Sequence, residues 1–233
     1  MRALLCLSLL CACGPAPGRL TLTASGGASV ENGFTTADGY TVTFTKVGLS
    51  VGEFTLATSA GQSGPTTNGA LTVDLLEPAP RLVRVFENVP AQRWDAVSWS
   101  VGNDGGVSLE VEGALSKDNT NKTFAWSFTS DTLYSHCVEG VTIPSGGKAN
   151  AELTVDVTRL WSDSFTDAGT LLGETLFNAD TGDSVVTMEE LRTTPTPSSY
   201  EQSLFTGAME GFLQFQVRTI GTFNGAPCTI TAR

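Results

Sequence analysis

The chain has 233 residues, with 24 acidic and 13 basic side chains, a formal net charge of −11 and 40% hydrophobic residues. Basic residues that are outnumbered and scattered do not build the positive stripe that nucleic acid or an anionic lipid surface requires. The length suits one large core as well as two small ones, and all-β domains of this size commonly form single units.

Arg2 precedes a short apolar run over residues 3–10, which small residues and then Gly14, Pro15 and Pro17 interrupt. A membrane-spanning helix needs about 20 apolar residues, so the run reads as a signal peptide over 1–12. Leu10-Cys11-Ala12-Cys13 resembles a bacterial lipobox, which makes Cys13 the acylated N-terminus of a lipidated linker over 13–19. An ordinary secretory signal cut nearby is the other reading. Gly14 after the cysteine fits sorting to the outer membrane. Such an anchor is the only membrane contact implied, and it tethers a soluble domain without inserting it.

The rest, 20–233, reads as a single β-rich domain. A first strand covers 20–23. Val42 and Phe44 then alternate with threonine, while Val47, Leu49 and Val51 follow on the other parity, which places a bulge near Lys46 or a change of strand. Further strands are expected at 71–75, 82–86, 94–101, 107–111, 124–128, 153–157, 213–217 and 228–231. Turn residues fill 61–69, 102–106 and 144–147. Short strands at this spacing predict an antiparallel β-sandwich or a barrel-like relative. Leu171, Leu172, Leu176 and Phe177 fall at helical spacing, so a short helical excursion is expected over 167–191, followed by a loop over 193–199. The tryptophans Trp94, Trp99, Trp126 and Trp161 lie in or beside strands, where core packing is their ordinary role.

Five cysteines are present. Cys6 and Cys11 leave with the signal and Cys13 carries lipid, so Cys137 and Cys228 remain, as one disulfide in an oxidising envelope or as two buried thiols. His136 is the one histidine, which excludes a multi-histidine metal site, and beside Tyr134 and Cys137 it reads as structural. Glu189 and Glu190 are adjacent, and on a helix they point about 100° apart, which does not make an acid/base pair. No nucleophile and base can be named, so the chain reads as not an enzyme.

One stretch has the spacing of cation ligands. Residues 178–191 resemble an EF-hand loop, with Asn178, Asp180, Asp183 and Glu189 or Glu190 as oxygen donors around a tight turn. The register is degenerate: counted from Asp180 the loop reaches Glu190 one residue short, and counted from Asn178 the glycine is misplaced. A weak calcium site is one reading. A solvated acidic turn with Thr187 and Glu190 as a helix capping box is the other.

The segments 38–47 and 93–102, together with the order of elements, resemble secreted myxobacterial-type lipoproteins and, more distantly, the methanobactin-associated periplasmic copper-binding (MbnP-like) family. In that family a histidine-rich turn stands where this chain has Asp156, Arg159, Leu160, Trp161 and Asp163, and a Gly-His-Phe segment where it has Gly221, Thr222 and Phe223. Tyr134, Cys137 and Cys228 match what looks like the family disulfide. The resemblance implies the scaffold without its soft-metal ligands, so no copper is expected, and oxygen donors alone suit calcium or magnesium. Two function classes follow. The first is a lipid-anchored envelope binding or structural module without catalysis, whose partner is another envelope protein or a small ligand. The alternative is a copper-handling protein of the MbnP-like type that uses His136, tryptophan or carboxylates as unconventional ligands.

Overall fold

The computed structural model describes residues 14–78, 80–102, 106–166, 169–200 and 207–232. The expected signal peptide and Cys13 lie outside the described residues, as do Asn103, Asp104 and Gly105 of the glycine-rich turn and Asp167 at the start of the helical excursion.

In β1 (Gly18–Ser25) the alternate residues Leu20, Leu22 and Ala24 are buried, which is the period-two pattern of a strand with one face in a core. A short helix α1 (Gly27–Asn32) and β2 (Phe34–Thr35) lead into β3 (Thr41–Ala57), a strand of 17 residues. The buried residues of β3 change parity twice: Val42 and Phe44, then Val47, Leu49 and Val51, then Phe54 and Leu56. The first change is the register break between Phe44 and Lys46, where the alternation predicts it, and the second lies between Val51 and Phe54. β4 (Ser63–Thr67) and β5 (Leu71–Asp74) fold back on β3, and β6 (Arg81–Val89) returns to pair with β1. There follow β7 (Arg93–Trp94), β8 (Ala96–Val101), β9 (Leu109–Lys117), β10 (Thr120–Phe128), β11 (Thr132–Ser135), β12 (Val141–Thr142) and β13 (Lys148–Val155). After a 3-10 turn at Val157–Trp161, α2 (Glu174–Phe177), β14 (Val185–Thr187), α3 (Met188–Thr193) and α4 (Met209–Gln216) precede β15 (Gly221–Phe223) and β16 (Thr229–Ala232).

Strands β6, β1, β13 and β15 form a small sheet, β14, β10, β9, β3, β8, β11 and β16 a large one with β2, β4 and β5 also on β3, and β7 and β12 a separate two-stranded ribbon. Gly48 and Leu49 pair with both β9 and β5, so β5 runs along the opposite edge of β3. The architecture is an antiparallel-rich β-sandwich without closure into a barrel. Phe54 on β3 meets Phe86 on β6 and Phe223 on β15 at ring-centroid distances of 5.8 and 6.3 Å, which joins the sheets through the core. Trp161, carried by the 3-10 turn, is fully buried and touches Phe34, Phe44, Phe124 and Trp126 with centroids 5.3 to 5.7 Å apart.

Four expectations differ from the structure. The segment 213–217, expected as a strand, lies in α4 and the turn after it: Met209, Phe212, Leu213 and Gln216 are all buried, a spacing that fits a helical stripe and not alternation. The turn-rich stretch 61–69 contains β4, an edge strand in which Pro65 falls in the register break between Ser63 and Thr66 and so forfeits no ladder bond. Segment 94–101 splits at Asp95, with β7 pairing to β12 and β8 to β3. The helical excursion is real but broken: Leu171 bridges to Ser162 as extended chain, and only α2 and α3 are helical, with β14 between them.

Cys137 and Cys228 form a disulfide across a sequence separation of 91, joining the end of β11 to the start of β16. Beside it the Val138 N–H donates to the Pro227 carbonyl at 3.0 Å. A closed loop of that length restricts the unfolded chain, so the double variant Cys137→Ala/Cys228→Ala should lose about 2–5 kcal/mol in urea unfolding. Non-reducing peptide mass spectrometry should find the two cysteine peptides linked, and an unchanged urea midpoint in the variant would show that the bond does not hold the fold.

Candidate functional site

The acidic turn after α2 is docked on the large sheet by β14, which pairs in parallel with β10, and by the Trp126 indole N–H, which donates to the Val186 carbonyl at 2.8 Å. Asp180, Asp183 and Glu190 bring one carboxylate oxygen each to within 4.8 Å of one another. Each already accepts at least one backbone N–H. Asp180 Oδ1 accepts the backbone N–H groups of Gly182, Asp183 and Ser184 at 2.8, 3.0 and 3.2 Å, while Oδ2 meets Lys122 Nζ at 2.9 Å. The Asp180 side chain is only 4% exposed, so Lys122 meets it largely out of water, and the same ammonium donates to the Phe177 carbonyl. Lys122 thus already neutralises one of the three carboxylates.

Glu190 completes a capping box. Its carboxylate accepts the Thr187 N–H at 2.8 Å and the Thr181 N–H at 2.7 Å, while its own N–H donates to Thr187 Oγ1. Asp183 accepts from the Val185 N–H at 3.0 Å. Of the other two expected ligands, Asn178 caps the C-terminus of α2, and Glu189 is outside this group and pairs with Arg192, which also bridges to Glu210. Cys13 lies outside the described residues.

These hydrogen bonds set the ionisation. Lys122 first, then the backbone N–H groups, hold Asp180 well below the usual carboxylate range, and the Thr187 N–H chiefly does the same for Glu190. Burial pushes Asp38 upward, but the Thr36 hydroxyl and the Gly173 and Glu174 N–H groups outweigh it, so that carboxyl too is lowered. Asp38 thereby ties the start of β3 to α2.

A second feature has no counterpart in the sequence motifs. The outward face of β3, β8 and β11 carries a groove of about 620 Å³, with Thr55, Ala57, Ala96, Ser98 and Ser135 on its floor and Asp95 and His136 at its rim. The floor is low because the alternation that buries Phe54, Leu56, Val97, Trp99 and Tyr134 leaves only small side chains on this side. Asp95 accepts the Ser59 N–H at 2.7 Å and the Ser59 hydroxyl at 3.0 Å, contacts that hold its carboxyl below the usual range. His136 takes a left-handed backbone, φ 48°, one residue before the disulfide, and its Nδ1 lies 3.2 Å from Ser135 Oγ. The sequence signal that could have found the groove is the small–large–small pattern of Thr55-Leu56-Ala57 and Ala96-Val97-Ser98.

The single imidazole lies exposed at a groove rim, both described cysteines are in the disulfide, and the group of three ligating side chains found among the described residues is all carboxylate, a donor type that suits hard cations.

No protein-family model matches the chain, and no curated protein is similar to it. Among solved structures it is similar to "MbnP from Methylosinus trichosporium", at 11% identity and a TM-score of 0.33, over 62% of this chain and 76% of that one.

Because Asp38, Asp180 and Glu190 are lowered in the fold from ordinary values of 3.8 and 4.5, the unfolded chain binds more protons as the pH drops past about 4. Stability that is full above that range should therefore fall through it as acid is added. Urea midpoints at pH 7, 4 and 3 measure this. Asp180→Asn should be less stable at pH 7 and show a shallower acid slope, and an unchanged slope would remove Asp180 from the account.

Proposed function

We propose that this chain is a non-catalytic binding module of the bacterial cell envelope, tethered through lipid on Cys13 and presenting the groove beside Asp95 and His136 to a small ligand. The observation that carries the reading is the groove itself: a concave surface of small apolar and hydroxylated side chains with two convergent polar groups, in the size range of small-molecule sites. A binding role without turnover agrees with the way its polar groups are used. Asp95 is engaged by Ser59, and His136 lies beside the Ser135 hydroxyl at the end of a strand, with no carboxylate among the described residues bonded to its ring to orient it as a base.

The test is a fragment screen by saturation-transfer NMR on the purified chain. Fragments that bind should perturb Ser98, Ser135 and His136 and be recovered chemically unchanged. Fragments that bind only elsewhere would remove the groove from the proposal, and turnover of any of them would remove its non-catalytic part.

The tether rests on Leu10-Cys11-Ala12-Cys13 after an apolar run. A clickable fatty acid fed to expressing cells should label the wild type and send it to the membrane fraction. Cys13→Ala should lose both, and a variant that keeps label and fractionation would end the lipid assignment.

Calcium enters this reading as a weak ligand of Asp180, Asp183 and Glu190, because Asp180 is already paired with Lys122 and all three carboxylates accept backbone N–H groups. Calcium at about 100 times its Kd should add about 2.7 kcal/mol of stability, read as a rise of a few degrees in melting temperature. Asp183→Ala should abolish the rise. No shift at millimolar calcium would leave the turn as a purely internal cap, and elemental analysis of the same sample is expected to find no stoichiometric copper.

A further inference from the structure

We propose that the groove takes an uncharged saccharide, an inference that rests on reading it as the binding site. The register carries the argument. Thr66 lies opposite Thr55, Thr55 opposite Ser98, and Ser135 opposite Thr229. The pairing of Tyr134 with Trp99 brings Ser135 beside Ser98, one step further along the same antiparallel ladder. A transverse row of five hydroxyls therefore crosses β4, β3, β8, β11 and β16, and its middle three, on Thr55, Ser98 and Ser135, line the groove. Thr55 and Thr66 already hold their hydroxyl oxygens 3.2 Å apart. Neighbouring strands lie about 4.8 Å apart, so the hydroxyls recur on the scale of a single sugar ring.

A hydroxyl donates one hydrogen bond and accepts others, so such a row can satisfy sugar hydroxyls in either sense without fixing a charge. Beside it Ala57 faces Ala96, which offers methyl groups to the C–H surface of a ring. Asp95 adds an ionised acceptor, and a sugar hydroxyl donating to it gains the strength of a charge-assisted bond. That same carboxylate, within a chain of net charge −11, repels carboxylated or phosphorylated sugars. A groove of about 620 Å³ has room for one or two sugar units.

Isothermal titration of the full chain with cellohexaose, maltohexaose and chitohexaose, and with hexagalacturonate as the anionic counterpart, tests the proposal. At least one neutral hexasaccharide should bind, with NMR shifts at Ser98 and Ser135, and hexagalacturonate should bind at least about tenfold more weakly. Ala96→Trp fills the floor and should abolish binding. Ser98→Ala removes one hydroxyl from the row without adding bulk to the floor, and should weaken binding about tenfold whether or not the tryptophan variant folds. Hexagalacturonate binding as tightly as the neutral sugars, or neutral binding that both variants leave intact, would overturn the assignment. If no saccharide binds at about 10 mM while other fragments still occupy the groove, the saccharide class is wrong and the groove stands. If nothing occupies it, the binding reading falls as well.

Discussion

The constraint on which the fold depends is the continuity of β3. A strand of 17 residues cannot keep one face toward a single flat layer, because sheets twist and each register break turns the face over. β3 uses two such breaks. Its first half pairs with β9 and its second with β8, so one backbone serves both ends of the large sheet. The break near Gly52 is closed by side-chain chemistry. Ser100 Oγ accepts the Glu53 N–H at 2.9 Å, and a Cβ on Gly52 would stand 2.5 Å from that oxygen, so the position admits only glycine without movement.

Each half of β3 meets a different partner across the core. Phe44 belongs to the aromatic group around Trp161, which the 3-10 turn delivers directly after β13 of the small sheet. Phe54 instead touches Phe86 and Phe223 of the small sheet itself. The tryptophan is thus the link between the helical insertions and the sheets, and Asp38 supplies a polar link of the same kind by accepting two N–H groups at the start of α2. The groove belongs to the second half, where residues on the core side are bulky and those on the outer side are small.

The excess of acidic residues suggests a surface built for cations, yet the carboxylates with the clearest roles face inward to the chain's own donors. Asp38, Asp95, Asp180 and Glu190 each accept backbone N–H groups of loops or helix starts. An acidic turn whose oxygens are aimed at its own backbone and at a lysine is first a folding device. Its resemblance to a calcium loop follows from a shared need, since both must gather many oxygens around a tight turn.

The sequence by itself determined an all-β class, most strands of the large sheet and the parity change near Lys46, and it offered the Cys137–Cys228 pair and the Thr187–Glu190 capping box each as one of two readings. All of these are local or combinatorial: alternation has period two, caps depend on residues three apart, and few cysteines leave few pairings. Only the tertiary structure decided what depends on distant pairing. Residues 213–217 alternate as a strand would and are helical because Met209 completes a buried stripe, and β4 exists because β3 offers an edge to a Gly- and Pro-containing segment. Lys122 lies in a strand 58 positions before Asp180, and nothing local to the acidic turn announces that an ammonium will pair with Asp180. The hydroxyl row across five strands is likewise invisible in sequence, because each strand contributes one or two small residues and only the register between strands sets them side by side.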